Sequence, residues 1–305
     1  MGVNRSVYIV GRGRSGSTVL DCLLDNVEGV QGMGETVVGL SKDLDALGVG
    51  QRGERVASFW RCVREEVQHR NGQRAWSETV EAYTDQAHPS RFLYTLFADR
   101  NDEYIQRTLL AVETVYEAVR EVSGAEVVVD SSKEVTRGLL LAKHLEDCHL
   151  IHLVRNPLSV LSSNLRKMRE KGAFRFLRKK WNPEGKESLF AGLTCVNWTV
   201  GNLLCEVLKR YTDEVTAVRL EDLQDAPVDT LRTVGRRIGV DVEDVVQKVE
   251  MGKTMSTGVG LRGNRMRRQS PEFVFEPSPS ARAMPVSYRA LCRALTYPVR
   301  TLYDY

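Results

Sequence analysis

The residues with the clearest chemical potential form a short loop rich in glycine, arginine and hydroxyl side chains. The loop, residues 11–18, directly follows a short apolar run at residues 7–10. Glycines let a backbone turn tightly enough for several N–H groups to point at one anion, and the N-terminus of a following helix adds partial positive charge. The loop is therefore predicted to bind a phosphate-like group through Gly11, Arg12, Gly13, Arg14, Ser15, Gly16, Ser17 and Thr18.

The spacing of this loop narrows the type of anion. Gly11 and Gly16 are separated as in a P-loop, but Ser17 stands where a nucleotide-hydrolysing enzyme needs its lysine, and the basic residue is Arg14. This pattern favours a monophosphate-like group with an adjoining sulfate over a triphosphate with Mg²⁺. A kinase or NTPase that uses Asp130 as its Mg²⁺ carboxylate, a non-catalytic nucleotide-binding module and a merely tight turn remain as alternatives.

A second motif lies where another predicted strand leads into a helix. Pro157 suits the first turn of that helix, and Ser163 follows Arg155 by about two turns. An arginine at the end of a strand and a hydroxyl on the next helix can grip a second phosphate. Taken alone this motif is weak, because an arginine in such a turn is as often structural as functional.

Together the two motifs resemble the sulfotransferase family. Its members hold the 5′-phosphosulfate of 3′-phosphoadenylyl sulfate (PAPS) in a glycine-rich loop and the 3′-phosphate with an Arg and a Ser spaced as Arg155 and Ser163 are here. The core Arg14-Ser15-Gly16-Ser17 is similar to that of carbohydrate and tyrosylprotein sulfotransferases, where Arg replaces the Lys of phenol-type enzymes. The resemblance covers most of the chain. It implies transfer of a sulfuryl group from PAPS to an acceptor hydroxyl, with adenosine 3′,5′-bisphosphate (PAP) as product.

The same resemblance implies three catalytic residues. Glu35 matches the position of the catalytic base in some members, Lys133 matches a lysine near the bridging oxygen, and Arg14 would hold the sulfonate. Sulfuryl transfer is helped mainly by positioning and by cations on developing charge, so no metal is required. Glu35 as a solvated loop carboxylate, and Asp130 with Lys133 as a structural ion pair or helix cap, are the simpler alternatives.

A late segment resembles a loop that closes over the donor in this family. Gly263, Asn264 and Arg267 are the implied donor contacts, although Arg265 stands where proline is usual. The simpler alternative is that Arg267 is an exposed loop charge. The acceptor is not identified by any motif, and the arginine-type loop favours a carbohydrate or glycoconjugate hydroxyl over a small phenol.

The elements that position these motifs alternate between strand-like and helix-like patterns, which is typical of a parallel sheet covered on both faces. Strands are predicted at residues 7–10, 127–129, 150–154 and 215–218, and helices at about 17–26, 55–69, 101–121, 134–146, 157–170, 187–211 and 228–238. The prediction is one α/β domain over residues 1–305, a P-loop-NTPase-like three-layer αβα domain with a central parallel sheet. A helical insertion is expected at about 41–100 and a Gly/Pro-rich loop at about 251–285.

Composition excludes several other classes of protein. The net charge is +3, from 43 Lys and Arg against 40 Asp and Glu, which provides no field for nucleic acid. The six cysteines show no zinc-finger spacing, and no apolar run reaches the ~20 residues of a membrane span. A cytoplasmic enzyme is expected, in which the basic run 166–180 suits an acidic acceptor or an interface.

Overall fold

A five-stranded parallel sheet forms the centre of the protein, with strand order β2-β3-β1-β4-β5. The computed structural model describes residues 5–41, 50–71, 76–85, 87–170, 183–264, 266–267, 270–277 and 284–305. The strands are β1 (Arg5–Gly11), β2 (Val30–Gly34), β3 (Val127–Lys133), β4 (Cys148–Val154) and β5 (Val215–Arg219). Strands buried on both faces need nearly continuous apolar residues, which is why β1, β3 and β4 could be predicted from the sequence. The partly exposed edge strand β5 was predicted from its short run of apolar and β-branched residues.

Helices cover both faces of this sheet, so the predicted three-layer α/β architecture is confirmed. In the described ranges they are α1 (Ser17–Leu24), α2 (Thr36–Gly39), α3 (Gly50–Asn71), α4 (Trp76–Asp85), α5 (Phe92–Phe97), α6 (Glu103–Ser123), α7 (Val135–His144), α8 (Pro157–Glu170), α9 (Pro183–Leu208), α10 (Leu220–Asp225), α11 (Pro227–Ile238), α12 (Glu243–Glu250) and α13 (Val286–Arg300). Single 3₁₀ turns occur at Pro89–Arg91 and Thr301–Tyr303.

Strand β1 shows how the two faces are built. Tyr8 and Val10 point into a core formed with α3, α6 and α7, whereas Val7 and Ile9 point into a second core formed with α1 and α11. All four side chains are fully buried. Because successive strand residues face opposite sides, one short apolar run contributes to both cores, and burial of each such side chain stabilises the fold by roughly 1.5–3 kcal/mol.

The direction of strand addition reverses at β1, in the middle of the sheet. Strand β1 lies between β3 and β4, and the neighbours of its last residues are Lys133 and Leu153. In open parallel sheets, ligands bind beyond the carboxyl ends of the strands where the direction of strand addition reverses. The glycine-rich loop, the end of β3 and the end of β4 therefore meet at one place.

Strand β2 is a strand that sequence patterns do not predict. Two of its five residues, Gly32 and Gly34, are glycines, and glycine weakens a strand interior. Parallel pairing with β3 nevertheless forms it, from Val30 onward. Its position matters because Glu35 follows its last residue.

The prediction that residues 251–285 are irregular was wrong for two short strands. Strands β6 (Thr254–Ser256) and β7 (Glu272–Val274) pair antiparallel in this region.

Helices α12 and α13, which flank this region, were also not predicted. Helix α13 contains Pro298, a residue that usually ends a helix because it lacks an N–H donor.

Helix α9 has two contrasting faces. Its inner face packs into the protein through Ala191, Cys195 and Trp198. Its outer face carries apolar side chains that are 44–60% exposed, namely Leu189, Leu193, Val196, Val200 and Leu203. By length and composition alone, Glu187–Leu208 would suffice to cross a membrane, contrary to the expectation from the lengths of the apolar runs. Since core helices pass the same test and the inner face is packed, this is weak evidence for a span.

Candidate active site

The glycine-rich loop between β1 and α1 is confined by its neighbours at two positions. A Cβ atom on Gly11 would collide with the carbonyl oxygen of Leu153 in β4, and one on Gly16 would collide with the side chain of Leu220 in α10. Gly16 also has a φ of 93°, in the left-handed region that favours glycine. Arg14 adopts a left-handed φ of 77° as well. The loop backbone is thus fixed from both sides.

Ser15 provides the clearest indication that this loop receives a polar ligand. Its hydroxyl group is buried and has no hydrogen-bond partner in the part of the chain that the structure describes. A buried polar group left unpaired costs about 1–3 kcal/mol. Ser17 and Thr18 are buried in the first turn of α1, whose N-terminus faces the loop. The arrangement fits an anionic group that accepts a hydrogen bond from Ser15.

The two arginines of the loop lie in different surroundings. The guanidinium of Arg12 donates a hydrogen bond to Oδ1 of Asn197 and lies against Gly201, so it faces helix α9. Arg14 is partly exposed, and its carbonyl oxygen accepts a hydrogen bond of 3.0 Å from Nη1 of Arg155. Gly13 is exposed at the tip of the loop. Arg14, more than Arg12, is therefore placed to reach a ligand in the loop.

A carboxylate and an amine meet beside the loop, at the carboxyl ends of β2 and β3. Nζ of Lys133 lies 2.5 Å from Oε1 of Glu35, and the two side chains are 15% and 24% exposed. Lys133 pairs across the sheet with Val10, the residue before the loop. The structure therefore brings Glu35, Lys133 and Arg14, predicted from three distant segments, to one edge of the sheet.

The backbone of Glu35 is held by Leu261, a contact that the sequence did not indicate. The N–H of Leu261 donates to the carbonyl of Met33, and the N–H of Glu35 donates to the carbonyl of Leu261, both at 2.8 Å. Gly34, with a φ of 76°, allows this approach, because a Cβ atom there would collide with the Leu261 backbone. A leucine in a glycine-rich segment carries no sequence signal for such a contact.

The late segment around Gly263 packs on the first turn of α1. The N–H of Asn264 donates to Oγ1 of Thr18 at 3.2 Å, and a Cβ atom on Gly263 would lie 2.9 Å from Cγ2 of Thr18. The segment thus borders the glycine-rich loop, and the implied contacts of Gly263 and Asn264 with a donor stay a prediction. Arg265 lies outside the described residues, as does the part of the basic run that extends from 171 to 180.

Arg267 does not lie where a donor contact or an exposed loop charge was expected. Its guanidinium is fully buried and forms an ion pair with Asp21 of α1. It also donates to the carbonyl of Thr257 at 3.2 Å and to Sγ of Cys22 at 3.1 Å. Arg267 therefore anchors the late segment to α1 from beneath, because a buried charge is stable only with such partners.

A second carboxylate near this anchor titrates in an unusual range. Burial, together with the charge of Asp21, raises the pKa of Asp25 to about 7, even though its Oδ1 accepts hydrogen bonds from Gln31 and from the N–H of Gly32. A raised carboxyl pKa means that the folded protein keeps a proton that the unfolded chain loses. Stability is then lost as the pH rises from about 4 to about 7.

Replacing Asp25 by asparagine is expected to flatten this pH dependence. Above pH 7, the free energy of unfolding should be larger for the variant than for the wild type. At lower pH, the variant should lack the wild type's decrease of this free energy with rising pH, which amounts to up to ~1.4 kcal/mol per pH unit. Urea unfolding at a series of pH values measures both effects. Glu28→Gln, at an exposed position three residues later, is the matched control. Equal slopes for Asp25→Asn and the wild type would contradict the prediction.

Asp130 is placed differently from what the kinase alternative requires. Its carboxylate is fully buried and accepts hydrogen bonds from Thr36, Tyr83, Tyr116 and Ser132. A carboxylate whose oxygens are all engaged inside the core is not available to coordinate Mg²⁺. Within the described ranges, no three His, Cys, Asp or Glu side chains lie together as a ligand set for a metal ion.

Arg155 directly follows β4, and the backbone beside it is linked through Glu221 to Tyr305. Asn156, its neighbour, donates its N–H to Oε1 of Glu221, and the hydroxyl of Tyr305 donates to Oε2 of the same carboxylate at 2.6 Å. Partial burial lowers the pKa of Arg155. Ser163 is partly exposed on α8, two turns from the helix start. The joint grip of Arg155 and Ser163 on a phosphate stays a prediction.

Comparisons with known proteins identify a matching family and similar folds. A family model described as "Sulfotransferase family" matches residues 6–244. The sulfotransferase domain from the curacin biosynthetic pathway has a similar structure, with a TM-score of 0.51 and 16% identity over 100% of this chain and 99% of that one. The sulfotransferase STF9 from Mycobacterium avium has a TM-score of 0.51 and 13% identity over 100% and 78% of the two chains. At such identities these structures show the fold alone, and no curated protein matches the sequence.

Proposed function

The chain belongs to the sulfotransferase family, and we propose that it transfers the sulfuryl group of PAPS to a hydroxyl group of a carbohydrate or glycoconjugate. The observation that carries the proposal is the pair of Glu35 and Lys133, 2.5 Å apart, beside a loop whose buried Ser15 hydroxyl has no hydrogen-bond partner among the described residues. The pair supplies a base and a cation at the same edge of the sheet as the anion-binding loop. Sulfuryl transfer needs these three features together.

The donor would be held by groups at the ends of three strands. The amides of the loop, the Ser15 hydroxyl and the Arg14 guanidinium would bind the 5′-phosphosulfate, because they follow β1 and border the N-terminus of α1. Arg155 at the end of β4, with Ser163 on α8, would bind the 3′-phosphate. Gly263 and Asn264 would border the donor from the side of the late segment.

The chemical roles follow from the charges at this edge. Glu35 would accept the proton of the acceptor hydroxyl while the oxygen forms its bond to sulfur. Lys133 would neutralise the negative charge that develops on the oxygen of the 5′-phosphate as its bond to sulfur breaks. Before substrates bind, the two side chains form an ion pair beside the proposed anion site.

The remaining parts of the proposal concern the surroundings of the reaction. We propose that catalysis is independent of metal ions, since Lys133 and Arg14 provide the cations that the chemistry needs. The six unpaired cysteines suit the reducing cytoplasm proposed from the sequence. The arginine-type loop is the support for a sugar hydroxyl as acceptor.

Radiolabelled PAPS tests the proposed activity directly. The protein is incubated with the donor and with fractionated metabolites of the native cell, in the presence of a chelator such as EDTA. Heat-denatured protein serves as the control. Label in a carbohydrate-containing product is the expected result. Label in another class of hydroxyl compound would correct the acceptor alone, whereas release of PAP with no labelled product in any fraction would count against the activity.

Arg14→Lys is expected to bind the donor poorly. A planar guanidinium donates two parallel hydrogen bonds to a phosphate or sulfonate, and a lysine ammonium cannot reproduce that fork. Loss of one charged hydrogen bond weakens PAPS binding by about 1.5–3 kcal/mol, or roughly 10- to 100-fold. Calorimetric titration of the donor measures the loss, with Arg12→Lys as the matched control because Arg12 faces α9. Wild-type affinity in Arg14→Lys would place the sulfonate elsewhere.

A further inference from the structure

Asp130 has an unusually complete set of hydrogen bonds for a buried carboxylate. Its Oδ2 accepts from the hydroxyls of Thr36 and Tyr83 at 2.8 Å each and of Tyr116 at 3.1 Å. Its Oδ1 accepts from the N–H and the hydroxyl of Ser132 at 2.9 and 2.5 Å. A carboxylate offers about four lone-pair sites, so these five donors saturate it. Burying a charge without such partners would cost several kcal/mol.

Two of the donor residues lie in the segments that carry the two proposed catalytic groups. Thr36 directly follows Glu35 at the start of α2, and Ser132 directly precedes Lys133 at the end of β3. Asp130 thus connects the backbone on one side of Glu35 with the backbone on one side of Lys133. A shift of either segment would break a charge-assisted hydrogen bond, the stronger class of such bonds.

Ser132 closes a second link between the same two segments. Its Oγ accepts a hydrogen bond of 3.0 Å from the N–H of Val37 and lies 3.1 Å from Oγ1 of Thr36. Lys133, next in the chain, has a left-handed φ of 74°. A non-glycine residue keeps such a conformation only when its surroundings impose it, at a cost of about 1–3 kcal/mol. The hydrogen bonds from Ser132 to Asp130 constrain the backbone directly before Lys133.

A buried arginine packs against Tyr83, one of the donors to Asp130. Arg137 of α7 is fully buried, with its guanidinium carbon 4.4 Å from the ring centroid of Tyr83, and it donates to the carbonyl oxygen of Tyr83. Burial, followed by the nearby Asp130 carboxylate, raises the pKa of Tyr83 and of Tyr116, which keeps both hydroxyls protonated as donors. Side chains from helices α4, α6 and α7 thereby pack around the carboxyl end of β3.

We propose that Asp130 is a positioning residue that fixes the separation of Glu35 and Lys133 by binding Thr36 and Ser132 beside them. The inference rests on the proposed function, in which this pair performs the chemistry. Asp130 is too deeply buried to contact substrate. Its effect on the reaction passes through the two segments that it ties together.

Asp130→Asn preserves the size of the side chain but replaces one acceptor oxygen by a donor. Its kcat on the acceptor found with radiolabelled PAPS is expected to fall about tenfold or more, since a displacement on the order of 1 Å near reacting atoms can cost ~100-fold. Affinity for PAP should stay near the wild-type value. Val112→Ala makes a cavity in the same core without touching the network and controls for general destabilisation. Thr36→Val and Ser132→Ala are milder variants that each remove a hydroxyl bonded to Asp130.

A double-mutant cycle separates positioning from mere structural damage. If Asp130 acts through Glu35, Asp130→Asn should lower kcat by a smaller factor in the Glu35→Gln background than in the wild type, because the part of its effect that passes through Glu35 is already lost. Independent, multiplying losses, or a loss no larger than that of Val112→Ala, would overturn the proposal. Full activity of Glu35→Gln alone would instead overturn the proposed role of Glu35.

A chemical readout on Lys133 tests the same proposal without any acceptor. Lys133 is 15% exposed and paired with Glu35, so limited acetylation followed by mass spectrometry should modify it slowly. In Asp130→Asn, and more weakly in Thr36→Val and Ser132→Ala, its labelling relative to the exposed Lys253 is expected to rise severalfold. Unchanged labelling in all three variants would show that Asp130 does not hold the pair.

Discussion

Replacing Glu35 by glutamine is expected to lower kcat by about two to four orders of magnitude. Glutamine keeps the size of the side chain and can still accept a hydrogen bond from Nζ of Lys133, which lies 2.5 Å from the carboxylate. It cannot take the proton of the acceptor hydroxyl, which is a weak nucleophile until that proton leaves. Affinity for PAP should change little, because the loop and Arg155 are intact. Steady-state rates with the identified acceptor and calorimetry with PAP give the two values.

A matched carboxylate elsewhere in the chain provides the control for Glu35. Glu126→Gln removes the same charge at an exposed position before β3, at the opposite end of that strand. It should leave kcat at the wild-type value. If Glu35→Gln also kept most of its activity, Glu35 would be a bystander, and the base would have to be sought in helices α3 to α5.

Arg155→Ala is expected to weaken the binding of PAP by roughly 10- to 100-fold for each charged hydrogen bond that is lost, at about 1.5–3 kcal/mol per bond. The 3′-phosphate is the part of the donor that AMP lacks, so the loss should fall mainly on PAP. A small loss for AMP is also expected, because Nη1 of Arg155 donates to the carbonyl of Arg14 in the loop.

Paired titrations of PAP and AMP against the wild type and Arg155→Ala measure this discrimination. Arg219→Ala serves as a control, because Arg219 lies at the end of the neighbouring strand β5 and donates to the carbonyl of Tyr303. Its removal should not change the ratio of the two affinities. If Arg155→Ala weakened PAP and AMP by equal factors, Arg155 would support the loop and the 3′-phosphate would be bound elsewhere.

Sequence patterns located the local elements of this fold well. Four of the five strands and the helices that follow β1, β3 and β4 have periodicities that reflect their own burial. Strand β2 was not predicted, because its glycines give it no strand signal and only pairing with β3 forms it. Strands β6 and β7 were also not predicted, because each is only three residues long and forms by pairing with the other across the intervening segment.

The candidate site shows the same division between local and distant information. The glycine-rich loop and Arg155 could be recognised because spacing within a few residues determines how a backbone turns around an anion. Glu35 and Lys133 were each chosen by resemblance alone, and nothing in the sequence indicated that they form a pair across 98 positions.

The sequence by itself therefore determined the fold class and the family of this protein and located its glycine-rich loop. The tertiary structure decided which distant groups meet: Leu261 with Glu35, Arg267 with Asp21, and Asp130 with hydroxyls from three other elements. The physical reason is that periodicity and turn chemistry act over a few residues, whereas a buried charge takes its partners from whatever elements the packed core brings beside it.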